Sequence, residues 1–174
     1  MRIERQYRSI LNAVKLYEDL LKQVSEDQFC MNPPDGGWSY SETFSHIFQS
    51  NLASLIAVEK CILRTGIYNR DRINWKVWLI LFFGRFPPGK IRAPERIASM
   101  VKKISREDAG NLIRKFKSRL DSVKPGIKNA DPHQKIKHPR LDLLNANQWF
   151  RFIEIHTIHH TAQLRRIERM LKKT

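Results

Sequence analysis

Apolar residues recur along most of the chain at spacings of three and four positions, which is the period of a helix that buries one face. This pattern predicts four long helices, covering residues 2–24, 39–63, 105–123 and 145–171. Convincing strand alternation and internal repeats are both lacking. The pattern therefore predicts an all-α four-helix bundle, built as a single domain over residues 1–174.

Short polar motifs support the boundaries of these helices. Ser39 and Glu42 have the spacing of a capping box, in which each side chain accepts a backbone N–H at the helix start. Ser105 and Asp108 repeat that spacing at the start of the third helix. The Pro125-Gly126 pair predicts that the third helix stops before it.

The connection between the second and third helices, residues 65–100, is long and rich in aromatic residues. It predicts a short helix near residues 73–83 and a helical piece near 94–102, separated by a loop containing proline and glycine. We expect an up-down-up-down bundle with this segment as its one long crossover. We expect its aromatic side chains to cap the bundle, and the alternative is an interfacial anchor on anionic lipid.

Charge is distributed unevenly along the 174 residues. Lys and Arg number 32, against 17 Asp and Glu, which gives a formal net charge of +15. Residues 85–140 carry +11 of this charge, residues 1–84 carry +1 and residues 141–174 carry +3. Such an excess indicates nucleic acid, an anionic membrane or an acidic small molecule as a partner, although no nucleic-acid recognition motif accompanies it.

Other features narrow the class of protein. Cys30 and Cys61 lack the number and spacing of a disulfide framework, so we expect both to be buried packing residues in a reducing compartment. The N-terminus lacks the apolar segment of a secretory signal. The longest apolar run, residues 77–83, is far shorter than the ~20 residues of a membrane span. These features predict a soluble, cytoplasmic protein.

Histidines on two predicted helices form the candidate site. His156 and His160 are four positions apart, so they project from one helix face about 6 Å apart along the axis. His46 lies two turns into the second helix and can reach this pair if the two helices are neighbours. Three neutral imidazoles and an open position describe a catalytic type of metal site. Gln163 lies on the same face as His156 and is a candidate to support one of the ligands.

The spacing alone leaves a simpler interpretation open, because such histidine pairs also occur without a metal on helix surfaces and in cores. We expect His159 to have a structural or supporting role, since it projects away from the centre of the pair. His133 and His138 lie in a predicted loop, where exposure to solvent is the more common outcome.

Two separated motifs resemble the DinB/YfiT-like superfamily of four-helix metalloproteins. The first motif opens the second helix and comprises Trp38, Ser39, Glu42 and His46. The second lies in the fourth helix and comprises Gln148, Trp149, His156, His159, His160, Gln163 and Leu164. A His138-Pro139 pair also resembles a loop in one branch of the superfamily. The similarity runs through nearly the whole chain, and only residues 65–100 match weakly.

This resemblance implies a ligand set and a range of activities. It makes His46, His156 and His160 the ligands of a divalent transition metal, with His138 as a candidate catalytic residue and Gln163 in support. Zinc, nickel and manganese are associated with the family, and three imidazoles suit zinc best. Characterised relatives resemble S-transferases that use low-molecular-weight thiols, and others are described as metal-dependent hydrolases. Homodimers are common among them.

Three functions therefore compete. The leading hypothesis is an enzyme whose metal activates a thiol for S-transfer, or water for hydrolysis. Its substrate would be a small molecule, and an anionic one if the basic residues guide it to the site. The second is a nucleic-acid-binding module based on residues 85–140. The third is a helical interaction protein that keeps the bundle but does not catalyse a reaction.

Overall fold

The computed structural model describes residues 2–87 and 101–172. Six helices occupy most of these residues: α1 (Arg2–Gln23), α2 (Glu26–Cys30), α3 (Tyr40–Ile62), α4 (Trp75–Phe83), α5 (Arg106–Ile127) and α6 (Ala146–Leu171). Three short strands accompany them: β1 (Ile67–Tyr68), β2 (Gln134–His138) and β3 (Asp142–Asn145). The helical piece expected near residues 94–102 lies mostly outside the described residues.

The four long helices form a four-helix bundle, as the sequence predicts. α1 and α3 each pack between α5 and α6, and the contact between α3 and α6 is the most extensive. Aromatic side chains from all four helices meet in one buried core, which includes Tyr17, Phe48, Phe116 and Phe150. Among the described residues, no helix is both long enough and apolar enough to cross a membrane.

The direction of α5 differs from the expected up-down-up-down order. At the start of α3, the Ser41 hydroxyl bonds to the backbone of Ile104, just before α5 begins. At the other end of both helices, Ile62 lies against Gly126. α3 and α5 are therefore parallel neighbours, and the up-down-up-down order is wrong. A long connection permits this arrangement, because it returns the chain to the end of the bundle at which α3 begins.

α3 and α6 run in opposite directions. The Gln163 amide donates to the Thr43 hydroxyl near the start of α3, at 3.4 Å. Near the end of α3, the Cys61 sulfur lies 3.7 Å from the backbone oxygen of Leu144, just before α6. This antiparallel packing places the second turn of α3 beside the middle of α6.

A small antiparallel sheet corrects the all-α expectation. Its strand order is β1-β2-β3, and residues 134–145, expected as a basic loop, form its hairpin. The strands are only two to five residues long, which is too short for a clear alternating pattern. Lys135 is nevertheless buried, because its ammonium group donates to Asn69 Oδ1 at 2.8 Å and to the backbone oxygen of Asp71 at 2.7 Å.

Helix boundaries agree with the sequence except at two places. α5 continues through Pro125 to Ile127, one turn beyond the predicted stop. Ile127 is fully buried, and this burial offsets the one backbone hydrogen bond that Pro125 cannot donate. The short α2 was not predicted, because five residues are too few to show a helical period.

Replacing Gly66 with alanine tests the pairing of β1 with β2. An added Cβ would lie 2.6 Å from the backbone oxygen of Lys135, so the strands would have to shift. We expect Gly66→Ala to lower the free energy of unfolding by about 1–3 kcal/mol, measured by urea denaturation.

Gly110→Ala is the matched control for that variant. A Cβ on this helical residue meets its nearest neighbour at 3.6 Å, an ordinary contact. We expect it to raise the free energy of unfolding by about 0.5–1 kcal/mol, because alanine favours a helix over glycine. A Gly66→Ala variant as stable as the parent protein would contradict the sheet.

Candidate metal centre

α3 and α6 bring three imidazoles together inside the bundle. His46 extends from the second turn of α3, and His156 and His160 extend from successive turns of α6. One ring nitrogen from each residue lies within 4.8 Å of the other two. The ring centroids are 4.6 Å apart for His156 and His160, and 5.3 and 5.1 Å from His46 to each of them.

The start of α3 is fixed by the predicted capping box, and this fixes the position of His46. The Ser39 hydroxyl accepts the backbone N–H of Glu42 at 3.2 Å, and the Glu42 carboxylate accepts the backbone N–H of Ser39 at 2.9 Å. Burial would raise the pKa of Glu42, but the hydrogen bonds from Ser39 and Asn32 hold it below its usual value. The Trp38 ring, just before the cap, packs 5.2 Å from the His46 ring.

A chain of buried hydrogen bonds fixes the proton on His156. The Thr157 hydroxyl donates to the backbone oxygen of Ile153 at 2.7 Å and accepts from the Asn51 amide nitrogen at 2.9 Å. The Asn51 oxygen therefore faces His156 Nδ1, 2.9 Å away. Because an amide oxygen can only accept, Nδ1 carries the proton and Nε2 presents a lone pair.

Gln163 fixes the proton on His160 in the same way. Its oxygen lies 2.7 Å from His160 Nδ1, while its nitrogen is directed toward the hydroxyl of Thr43. His160 Nε2 therefore also carries a lone pair, and it lies 3.2 Å from His156 Nε2. Two lone pairs at this distance repel each other, and a shared cation removes the repulsion.

This donor set fits a metal ion. Two nitrogens that are each 2.0–2.1 Å from a tetrahedral zinc ion are roughly 3.3 Å apart. The observed separation of 3.2 Å between His156 Nε2 and His160 Nε2 is close to that value. His46 supplies a nitrogen from the facing helix, so the three residues could hold one ion between α3 and α6.

Burial keeps the three imidazoles neutral. It lowers the pKa of His46 to about 4. Burial, and then the proximity of His46, lowers the pKa of His160 to about 3. Burial also holds the pKa of His156 well below its usual value, and the neighbouring histidines add to the effect. Because a metal binds the unprotonated ring, protons do not compete for these nitrogens at neutral pH.

His138 lies outside the three-imidazole cluster and is buried, not exposed as expected for a loop residue. Its Nδ1 accepts the backbone N–H groups of Arg140 and Leu141, both at 3.0 Å, and so holds the turn between β2 and β3. Its ring packs on Phe152, which in turn stacks on His156. Phe152 thus lies between His138 and the cluster. The catalytic role of His138 stays a prediction.

His159 lies beside the cluster, whereas Cys61 and Cys30 do not belong to it. His159 is exposed and meets the rings of His160 and Phe86 edge-on. Cys61 is buried near the opposite end of α3, as predicted, and burial raises its pKa to about 11. Cys30 is half-buried instead of fully buried.

Asn51 and Thr157 are functional candidates that the sequence did not predict. Both are completely buried polar residues, and both determine which nitrogen of His156 is free. The available signal was an amide on the apolar side of α3, between Ile47 and Leu55. A buried amide needs hydrogen-bond partners. Those of Asn51 are Thr157 and His156, on α6.

Comparisons with known proteins give a family and a fold. The sequence model of the DinB superfamily matches residues 12–164. The structure is similar to YfiT from Bacillus subtilis, described as a probable metal-dependent hydrolase with an unusual four-helix bundle topology. The TM-score is 0.62, with 11% sequence identity, over 98% of this chain and 87% of that chain.

A second solved structure, TT2238, is described as a four-helix bundle protein. Its TM-score is 0.57, with 14% sequence identity, over 94% of this chain and 96% of that chain. At these identities the likeness shows the fold alone. No functionally curated protein is similar enough in sequence to match the chain.

Replacing Thr157 with valine tests the hydrogen-bond chain behind His156. The change removes the acceptor of the buried Asn51 amide. We expect the free energy of unfolding, measured by urea denaturation, to fall by about 1–3 kcal/mol, the cost of an unsatisfied buried donor.

Thr161→Val is the control, because the Thr161 hydroxyl also donates to a backbone oxygen of α6, at 2.7 Å, but lies outside this network. Its effect should stay below about 0.5 kcal/mol. Equal effects of the two substitutions would contradict the network.

Proposed function

Because this chain belongs to the DinB superfamily, we propose that it is a metal-dependent hydrolase whose ion is held by His46, His156 and His160. The observation that carries the proposal is the pair of facing, unprotonated nitrogens 3.2 Å apart. A partly buried arrangement of this kind is unfavourable alone and favourable around a cation. The likeness to YfiT, described as a probable metal-dependent hydrolase, supports the same reaction class.

The donor set favours zinc among the metals considered. Imidazole suits zinc, nickel, copper and iron, whereas manganese and magnesium prefer carboxylate and water oxygens. The ring nitrogens come from three histidines, and catalytic zinc sites commonly use three protein ligands with a fourth, open position. We therefore rank zinc first, nickel second and manganese third.

A divalent metal bound here would supply hydroxide or thiolate near neutral pH, by lowering the pKa of a water or thiol molecule. The chain's own residues prepare the position. Asn51 and Gln163 accept the Nδ1 protons and so direct the Nε2 lone pairs inward. Phe152 stacks on His156 and excludes water from one side, which strengthens electrostatic interactions within the site.

Water is the nucleophile that we favour. Attack by water on an ester or amide is hydrolysis, and a low-molecular-weight thiol at the same position would give S-transfer. The description of YfiT favours hydrolysis. A small molecule is the substrate that we favour for a hydrolase whose histidines are partly buried between α3 and α6.

Part of the basic charge is paired with glutamates at the surface of the bundle, which weakens the nucleic-acid alternative. Three basic residues of α5 form ion pairs with glutamates on other helices: Lys117 with Glu18, Arg119 with Glu59, and Lys124 with Glu4. Two of these pairs join α5 to α1 and one joins α5 to α3, so they contribute to the contacts between helices. Homodimer formation, which the family resemblance implies, stays a prediction.

Metal analysis of untagged protein, purified without chelator, tests the ligand assignment. We expect about one equivalent of zinc per chain in the parent protein and less than about a tenth of that in His46→Ala and His160→Ala. His159→Ala is the matched control, because His159 is adjacent to His160 but exposed. It should keep its metal, and undiminished zinc in His46→Ala would rule out the proposed site.

A turnover assay separates hydrolysis from the competing functions. We expect the zinc-loaded protein to hydrolyse a nitrophenyl ester at least about 100-fold faster than His160→Ala, since a bound metal contributes several kcal/mol to such a reaction. A second arm replaces the ester with chlorodinitrobenzene and glutathione. Turnover that requires the thiol would favour S-transfer instead, and absence of metal-dependent turnover in both arms would favour a non-catalytic interaction protein.

A further inference from the structure

α4 presents an aromatic surface to solvent. Its inner side packs Val77 and Leu81 into the core. Its outer side carries four side chains that are 50–65% exposed, Trp75, Trp78, Phe82 and Phe83, which we call the aromatic face. The expectation that these side chains cap the bundle is therefore wrong. A cluster of exposed aromatic residues marks a surface that binds another molecule.

Three rings of the aromatic face contact one another along α4. Trp78 and Phe82 stack with their ring centroids 4.8 Å apart, and Phe83 meets Phe82 edge-on at 5.2 Å. The rings therefore pack on one another along an outward-facing surface. Outward-facing aromatic rings on a helix can enter the lipid interface.

α4 is held firmly on α6, so the face has a fixed orientation. The Arg151 guanidinium donates to the backbone oxygen of Leu81 at 2.9 Å and pairs with the buried Glu154. Gly84 ends α4 in a left-handed conformation, and a Cβ there would collide with Arg151. The helix and its aromatic side chains therefore form a stable part of the surface.

Cations lie beside the aromatic face. Residues 64–87 contain five basic residues and one acidic residue, Asp71. The Lys76 ammonium lies over the Trp75 ring, 5.6 Å from its centroid. Aromatic side chains flanked by lysine and arginine are typical of proteins at membrane interfaces, where the cations meet anionic headgroups.

A cavity of about 450 Å³ opens beside the face. Trp75 and Trp78 line it together with Arg70, Arg72 and Asp71. Lys135 also lines it, but its ammonium group is held by Asn69 and by the backbone of Asp71, so the two arginines are the cations that face a ligand. Phosphate is the headgroup component that arginine and lysine bind best. The cavity thus offers a position for an anionic headgroup next to rings that can enter the hydrocarbon boundary.

We propose that the aromatic face and this cavity bind the surface of an anionic lipid bilayer, with α4 lying in the interface. A second copy of the chain is a poorer occupant. A twofold contact through α4 would place Arg70, Arg72 and Lys76 close to the same cations of the other copy, and this repulsion opposes the contact. An anionic surface instead neutralises them.

Cosedimentation with vesicles tests this proposal, using the full chain at physiological salt. We expect binding to vesicles of equal phosphatidylglycerol and phosphatidylcholine, and little binding to phosphatidylcholine alone. Phe82→Ser combined with Phe83→Ser should lower the partition coefficient at least about tenfold, because two exposed rings no longer enter the interface. Lys76→Glu should lower it roughly 25-fold, at about fivefold per unit of charge.

Leu16→Ser is the matched control, since Leu16 is an apolar side chain of α1 that is 48% exposed. It should bind like the parent protein, and circular dichroism should show that all variants remain folded. Equal binding to both vesicle types would overturn the proposal. So would retention on single-stranded RNA in place of vesicles, or a dimer that the double phenylalanine variant converts to monomer without any vesicle binding.

Discussion

The unprotonated nitrogens of His156 and His160, both on α6, face each other at 3.2 Å. The repulsion between them is the constraint around which the site is organised. Asn51 and Gln163 prevent either ring from relieving it by moving its proton, since each presents an amide oxygen to the far nitrogen. Asn51 is itself oriented by Thr157, whose hydroxyl is committed to a backbone oxygen. These hydrogen bonds hold both lone pairs toward the same point, which is an arrangement suited to a cation.

The topology of the bundle brings together α3 and α6, the two helices that bear the three histidines. Because α3 and α6 are antiparallel, the second turn of α3 meets the middle of α6, and His46 reaches a pair of histidines more than a hundred residues away in sequence. The crossover makes α5 parallel to α3, so α5 and α1 flank the same pair. The sheet contributes at a distance, as the His138 turn packs on Phe152 and Phe152 stacks on His156.

The sequence predicted the long helices and the pairing of His156 with His160, because both depend on local spacing. That His46 joins this pair depended on the second and fourth helices being neighbours, which the packing of α3 on α6 shows. Capping at Ser39 and the i,i+4 relation of His156 and His160 follow from the geometry of a single helix. The direction of α5 was mispredicted, since a long crossover can return to either end of the bundle. The sheet was missed because its strands are short, and Asn51 was missed because its role depends on the register between two helices.

X-ray absorption at the zinc edge is the most direct test of the proposed metal site, because it reports the atoms bound to the ion in solution. For zinc held by His46, His156 and His160, we expect three imidazole nitrogens at about 2.0–2.1 Å and one further oxygen. Sulfur at about 2.3 Å would place the ion on Cys30 or Cys61, and would contradict a site made of three histidines. A shell of oxygen ligands without imidazole would contradict it equally.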